Sequence, residues 1–176
     1  AVFACLVLPP YFSLVLFGYF SLTALYSFYL KRIAIIDVLT LASLYTIRVF
    51  AGATIVMEFP SSWLIGFSVF IFLSLSLVKR YAELKNIECS GTADGQALGR
   101  GYYAGDIEIV SQLGVSSGYL SVIVLALYIN SFRSEQMYSQ PEFLWPLCLL
   151  LMFWISRIWV IAHRGGMHED PLFFAI

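Results

Sequence analysis

The spacing of its apolar runs constrains this chain more than any other feature. Five stretches, roughly Tyr11 to Tyr29, Ile33 to Met57, Ser61 to Val78, Val115 to Ile129 and Phe143 to Ala162, carry few charges and are divided by polar breaks. A bilayer core takes about 20 such residues as a helix. In lipid, every backbone amide must find its partner within the segment, which favours helices. The expected fold is therefore all-α, a polytopic transmembrane helix bundle with about five complete spans. Composition agrees, with 60% hydrophobic and 12% charged residues and a mean hydropathy of +0.84. Soluble domains have about a quarter charged residues. No nucleic-acid partner is expected; membrane lipid is.

The chain begins inside an apolar run, Ala1 to Leu8, which ends at Pro9-Pro10, and it stops at Leu172 to Ile176. We read residues 1–176 as one transmembrane domain, truncated at both ends. Within it, residues 79–114 form a polar loop too long for a simple turn. Lys31, Arg32, Lys79, Arg80, Lys85, Arg100 and Arg164 fall on one side of the alternating spans, and Arg133 on the other. The positive-inside rule then places the loop in the cytoplasm. Three basic connections on one face are either an anion-binding mouth or ordinary topogenic charge.

Charges inside spans are costly unless paired or wet, so they are functional candidates. Asp37 lies about one turn after Lys31-Arg32. Arg48 returns to nearly the same helix face about 16 Å further on. The pair marks two ends of a polar stripe, or Arg48 snorkels to the far surface. Arg157 lies about two turns before Arg164 on one face of the fifth span.

Glu83 shares a helix face with Lys79 if the third span continues past the membrane, and the two are then either part of a site or a solvated salt bridge. Asp106 follows Arg100-Gly101-Tyr102 among glycines 95, 99, 101 and 105. These either bring backbone close to phosphate or give flexibility. No strand precedes Gly99-x-Gly101, so no dinucleotide fingerprint is present. His163 and His168 are too few for a zinc site, and Cys5, Cys89 and Cys148 are too scattered for a framework. Tyr26, Tyr29, Trp154 and Trp159 fit an interfacial aromatic belt.

Tyr26 to Lys31, Asp37, Ile47-Arg48-Val49-Phe50-Ala51-Gly52-Ala53, Lys79-Arg80-Tyr81-Ala82-Glu83-Leu84, Arg100-Gly101-Tyr102 with Asp106, and His168-Glu169-Asp170-Pro171 together resemble the UbiA superfamily of intramembrane prenyltransferases. The branch most similar contains decaprenyl-phosphate phosphoribosyltransferase. The resemblance implies helices three to eight of a nine-helix bundle. It also implies an Mg²⁺-dependent transferase acting on a polyprenyl lipid and a phosphorylated co-substrate, with pyrophosphate leaving. On that basis Lys31, Glu83 and Asp106 are the candidate catalytic residues, with Glu83 and Asp106 as metal ligands. Tyr26, Arg48, Lys79, Arg80, Arg100, Tyr102 and Arg157 are the candidate substrate contacts. Where the family carries a second aspartate pair, this chain has Lys79-Arg80-Tyr81-Ala82-Glu83, one carboxylate with two bases. Two alternatives stand beside prenyl transfer. One is phosphoribosyl transfer from a phosphoribosyl diphosphate to a polyprenyl phosphate, and the other is a transporter or channel for an anionic solute.

Overall fold

The computed structural model of the chain describes residues 10–55, 60–90, 100–131, 134, 138 and 140–166. Residues 1–8, Gly95, Gly99, Arg133 and the His168-Glu169-Asp170-Pro171 run lie outside the described residues. Among the described residues five α-helices follow in order: α1 (Pro10–Phe28), α2 (Ile36–Ile55), α3 (Ser62–Ser90), α4 (Ile107–Ile129) and α5 (Trp145–His163). Short 3-10 turns lie at Leu30–Arg32, Ala104–Asp106 and Pro141–Leu144. Ile36–Ala53 within α2, Ser62–Glu88 within α3, Ala104–Ile129 around α4 and Pro141–His163 around α5 are long and apolar enough to cross a membrane, and the apolar part of α1, Phe12–Phe28, is shorter. The protein is an all-α, integral-membrane helix bundle.

Two boundaries differ from expectation, and both matter for the site. The apolar run of the third span ends at Val78, but α3 continues to Ser90. Lys, Arg, Ala, Glu and Leu are good helix formers, and neither Gly nor Pro intervenes before Gly91, so charge ends the apolarity without ending the helix. At 1.5 Å per residue α3 is about 44 Å long, against about 30 Å of hydrocarbon. The stretch expected as loop over 79–114 is thus helical over Lys79–Ser90 and again from Ile107. Conversely, α2 starts later than the apolar run. Ile35 takes φ 68°, a left-handed conformation uncommon for a β-branched residue, and turns the chain between the 3-10 turn and the helix.

The helices pack in sequence: α1 on α2, α2 on α3 and α3 on α4, with α5 against both α3 and α4. The α3–α4 contact is the most extensive and is built from small residues, as close packing in a bilayer requires. Ser74 Oγ donates to the Gly114 carbonyl at 2.7 Å, and Ser117 Oγ to the Phe70 carbonyl at 3.0 Å. A Cβ on Gly114 would lie 2.1 Å from Trp159 Cζ2. That absence admits the indole, whose Nε1 reaches Ser74 Oγ at 3.3 Å. Trp159 is therefore a core residue and not part of an interfacial belt. Leu14, Phe17, Phe143, Leu149 and Phe153 are exposed, an outer surface suited to lipid.

Candidate functional site

The site forms where the end of α1, the start of α2, the polar third of α3 and the residues before Ala104 converge. Asp37, in the first turn of α2, is fully buried. Its Oδ2 accepts from Arg80 Nε at 2.5 Å and from Arg100 Nη1 at 3.3 Å. Its Oδ1 accepts from the Tyr26 hydroxyl at 2.8 Å. Arg80, buried beside it, donates from Nη1 to Glu83 Oε2 one turn further along α3. Arg100 Nε lies 3.6 Å from that same Glu83 oxygen. Asp37, Arg80, Glu83 and Arg100 thus close a ring of alternating charge, with no net charge of its own.

Local sequence dictates how the ring is held. Asp37 and Tyr26 meet because the turn at Leu30–Arg32 folds α2 back along α1. Arg100 is carried on the segment before α4, which is pinned to that turn by its next two residues. A Cβ on Gly101 would lie 2.7 Å from the Arg32 carbonyl oxygen and 2.9 Å from the Ala34 nitrogen, so only glycine allows this approach. Buried Tyr102 then accepts the Ile35 amide on its hydroxyl oxygen at 2.8 Å. Burial raises the Tyr102 hydroxyl above its ordinary pKa and the Asp37 charge adds to the rise, while the Ile35 amide opposes it. The phenol therefore stays protonated through the neutral range.

Of the residues expected from sequence, Tyr26, Arg80, Glu83 and Arg100 are brought together, with Tyr102 packed beneath them. Lys31 is half-buried on the adjoining turn and makes no ion pair among the described residues. Lys79 is exposed on α3 beside Arg80. Asp106 belongs to none of the ring's ion pairs, and its Oδ2 accepts the Tyr103 amide at 2.9 Å at the entry to α4. Arg157 stands on an exposed face of α5, with no ion pair among the described residues.

Arg48 does not snorkel outward. It turns back over the preceding helical turn, with its guanidinium carbon 5.1 Å from the Tyr45 ring centroid and 5.4 Å from that of Tyr19. It also donates from Nη2 to the Tyr19 hydroxyl at 2.6 Å. Tyr19–Arg48 and Tyr26–Asp37 are two polar rungs between α1 and α2. Sequence reasoning left Asp37 out of the candidate site although it had marked it as a charge inside a span. It also missed Tyr81, whose hydroxyl meets His163 Nδ1 at 2.9 Å and ties the end of α5 to the same region.

The resemblance implies Mg²⁺, an ion with strict demands on its donor set. Magnesium takes near-octahedral oxygen ligands, commonly one or two carboxylates with phosphate and water completing the shell. Among the described residues, no three His, Cys, Asp or Glu side chains gather into a group able to hold a metal. Asp37 and Glu83 each face guanidinium instead, and Asp106 is held by the Tyr103 amide. These residues as arranged do not fit a resident Mg²⁺.

Fold and site together define a class: an integral-membrane helix bundle with a charge-balanced arginine–carboxylate ring at one end, buried at Asp37 and Arg80 and partly exposed at Glu83 and Arg100. Over 172 residues, 97% of this chain and 33% of the other, it is 37% identical to the uncharacterized protein y4nM of Sinorhizobium fredii. It is 36% identical over 161 residues to the nodulation protein NoeC of Azorhizobium caulinodans, covering 90% of this chain and 51% of that protein. A third relative, the decaprenyl-phosphate phosphoribosyltransferase of Mycobacterium tuberculosis, is 33% identical over 166 residues, 94% of this chain and 52% of the relative. The chain thus spans a third to about half the length of these curated relatives. No protein-family model and no solved structure matches it.

Proposed function

We propose that this chain is the membrane core of a UbiA-type transferase that joins a polyprenyl lipid to a phosphorylated co-substrate. The observation that carries the reading is the pair Arg80 and Arg100, steered by buried Asp37 to the end of the bundle where a long apolar tail and a charged head can meet. Guanidinium groups bind phosphate oxygens through charge-assisted bonds. Fixed in a site that excludes water, they stabilise negative charge as it develops on leaving pyrophosphate. Asp37, itself held by Tyr26, fixes Arg80, while Gly101 and Tyr102 fix the segment that carries Arg100. Lys31 on the adjoining turn supplies a further cation for the same head group.

Prenyl and phosphoribosyl transfer both release pyrophosphate. Phosphoribosyl transfer is the second reading, and the printed name of the mycobacterial relative favours it. In that reaction a phosphate oxygen of the lipid attacks the anomeric carbon of phosphoribosyl diphosphate. The C–O bond to pyrophosphate breaks, and the pair of electrons leaves with it. We place the ring end on the cytoplasmic face of a bacterial inner membrane, since the basic connections gather there.

The test is transfer in membranes containing the intact protein. One arm supplies radiolabelled phosphoribosyl diphosphate with a polyprenyl phosphate, and the other a prenyl diphosphate with an aromatic acceptor. A labelled, solvent-extractable lipid lost in Arg80→Gln is the expected result. Uptake of labelled phosphate into proteoliposomes with no lipid product in either arm would replace this reading with the transporter.

A further inference from the structure

The ring has two oxygens that each bridge both guanidiniums. Asp37 Oδ2 lies 2.5 Å from Arg80 Nε and 3.3 Å from Arg100 Nη1. Glu83 Oε2 contacts Arg80 Nη1 and lies 3.6 Å from Arg100 Nε. The two carboxylates are otherwise unlike. Asp37 is 0% exposed and is also held by Tyr26. The Glu83 side chain is 36% exposed and has no further side-chain partner among the described residues. One oxygen lies on the floor of the ring, and the other at its partly exposed rim.

We propose that the point held by Glu83 Oε2, between Arg80 Nη1 and Arg100 Nε, is a phosphoryl-oxygen subsite that the protein fills with its own carboxylate until an anionic ligand displaces it. The inference rests on the reading that this end of the bundle takes a phosphorylated substrate. Three features support it. First, an oxygen anion between two guanidinium groups is the arrangement a phosphate oxygen seeks. Second, Glu83 lies one helical turn beyond Arg80 on α3, so a change of rotamer moves its carboxylate outward without disturbing the helix. Third, charge changes in the useful direction. With Glu83 inside, two carboxylates balance two arginines; with Glu83 outside, the mouth carries one net positive charge. Glu83 thereby keeps the two arginines paired and correctly spaced in the free protein, and it sets a threshold that weak anions do not cross. This is a different role from that of a metal ligand, and it accounts for a carboxylate standing among bases.

The experiment is calorimetric titration of inorganic pyrophosphate, without divalent metal, into the intact protein in detergent. Wild type, Glu83→Gln, Glu83→Asp and Arg100→Gln are compared, with folding checked by thermal melting. Glu83→Gln should bind about ten-fold tighter than wild type, a change worth about 1.4 kcal/mol. Glu83→Asp keeps the charge on a shorter side chain, so its affinity should lie between the two, and Arg100→Gln should bind about ten-fold more weakly than wild type. If wild type binds and Arg100→Gln loses affinity while both Glu83 variants are unchanged or weaker, the self-filled subsite is wrong and the phosphate mouth stands. If no variant binds, both fall. If Glu83→Gln binds tighter but the membranes make no lipid product, the subsite stands and the transferase reading falls.

Discussion

Replacing Asp37 by Asn removes one charge from the ring while nearly conserving volume, and the structure fixes what should follow. Asp37 and Arg80 are 0% and 2% exposed, so neither regains water when the pair is broken. Removing one partner of a buried ion pair costs about 3–5 kcal/mol, because the surviving charge is left uncompensated. Two features moderate this. Asn keeps an oxygen for the Tyr26 hydroxyl, and Arg80 keeps Glu83. The lower end, about 3 kcal/mol, is therefore expected. At about 2–4 °C per kcal/mol for a chain of this size, the melting temperature should fall by about 6–12 °C. Size-exclusion chromatography of the detergent-solubilised intact protein after graded heating measures it. Restoring balance with Asp37→Asn plus Arg80→Gln should recover part of the loss, as contacting residues in one network are not additive. A melting temperature for Asp37→Asn within 2 °C of wild type would refute the ring as a structural anchor, whatever its role in binding.

Other expectations follow from single contacts. Gly101→Ala places a methyl group 2.7 Å from the Arg32 carbonyl, so the Arg100 segment should lift away. Pyrophosphate affinity should then drop by about ten-fold in the calorimetric assay, with the fold retained by circular dichroism. Gly114→Ala drives a methyl group into Trp159 and should destabilise the α3–α4–α5 junction by about 1–3 kcal/mol, read as a lower melting temperature and a red-shifted, more exposed tryptophan. Cysteines placed at Gly95 and Gly166 should react with membrane-impermeant reagents only from the cytoplasmic side, and one at Gln140 only from the opposite side. Labelling of Gly166 and Gln140 from the same side would break the alternation on which the mouth depends.

The helices were legible because a bilayer leaves few choices. Long runs such as Ser61–Val78 and Phe143–Ala162 admit hardly any backbone but helix, and the structure places α3 and α5 over them. The end of α3 was not legible from hydropathy, because hydropathy reports where apolar surface stops and not where hydrogen bonding stops. Helix propensity carried that missing signal, since Lys79-Arg80-Tyr81-Ala82-Glu83-Leu84-Lys85 contains no helix breaker. The same reasoning explains the error at Trp159. A tryptophan near a span end fits a belt on composition alone, and only the space left by Gly114 on another helix shows that it is core.

The site was half legible for a related reason. Arg80, Glu83 and Arg100 announced themselves as charges near a membrane end, and the resemblance added Tyr26 and Tyr102. What no single run could show is that Asp37 is their common partner. On sequence it is linked only to Arg48, as the other end of one polar stripe on its own helix, because sequence gives spacing within a helix and not contact between helices. In three dimensions the stripe divides. Arg48 is held by Tyr19 and Tyr45, while Asp37 faces Arg80, 43 positions away, and Arg100, 63 positions away. Asp37 does carry one local clue: a buried carboxylate in a span requires a cation within reach. Its nearest cations in sequence, Lys31 and Arg32, form no ion pair with it. A carboxylate that passes over its neighbours for two arginines from distant segments fixes the relative position of those segments, and the mouth inherits its geometry from that choice.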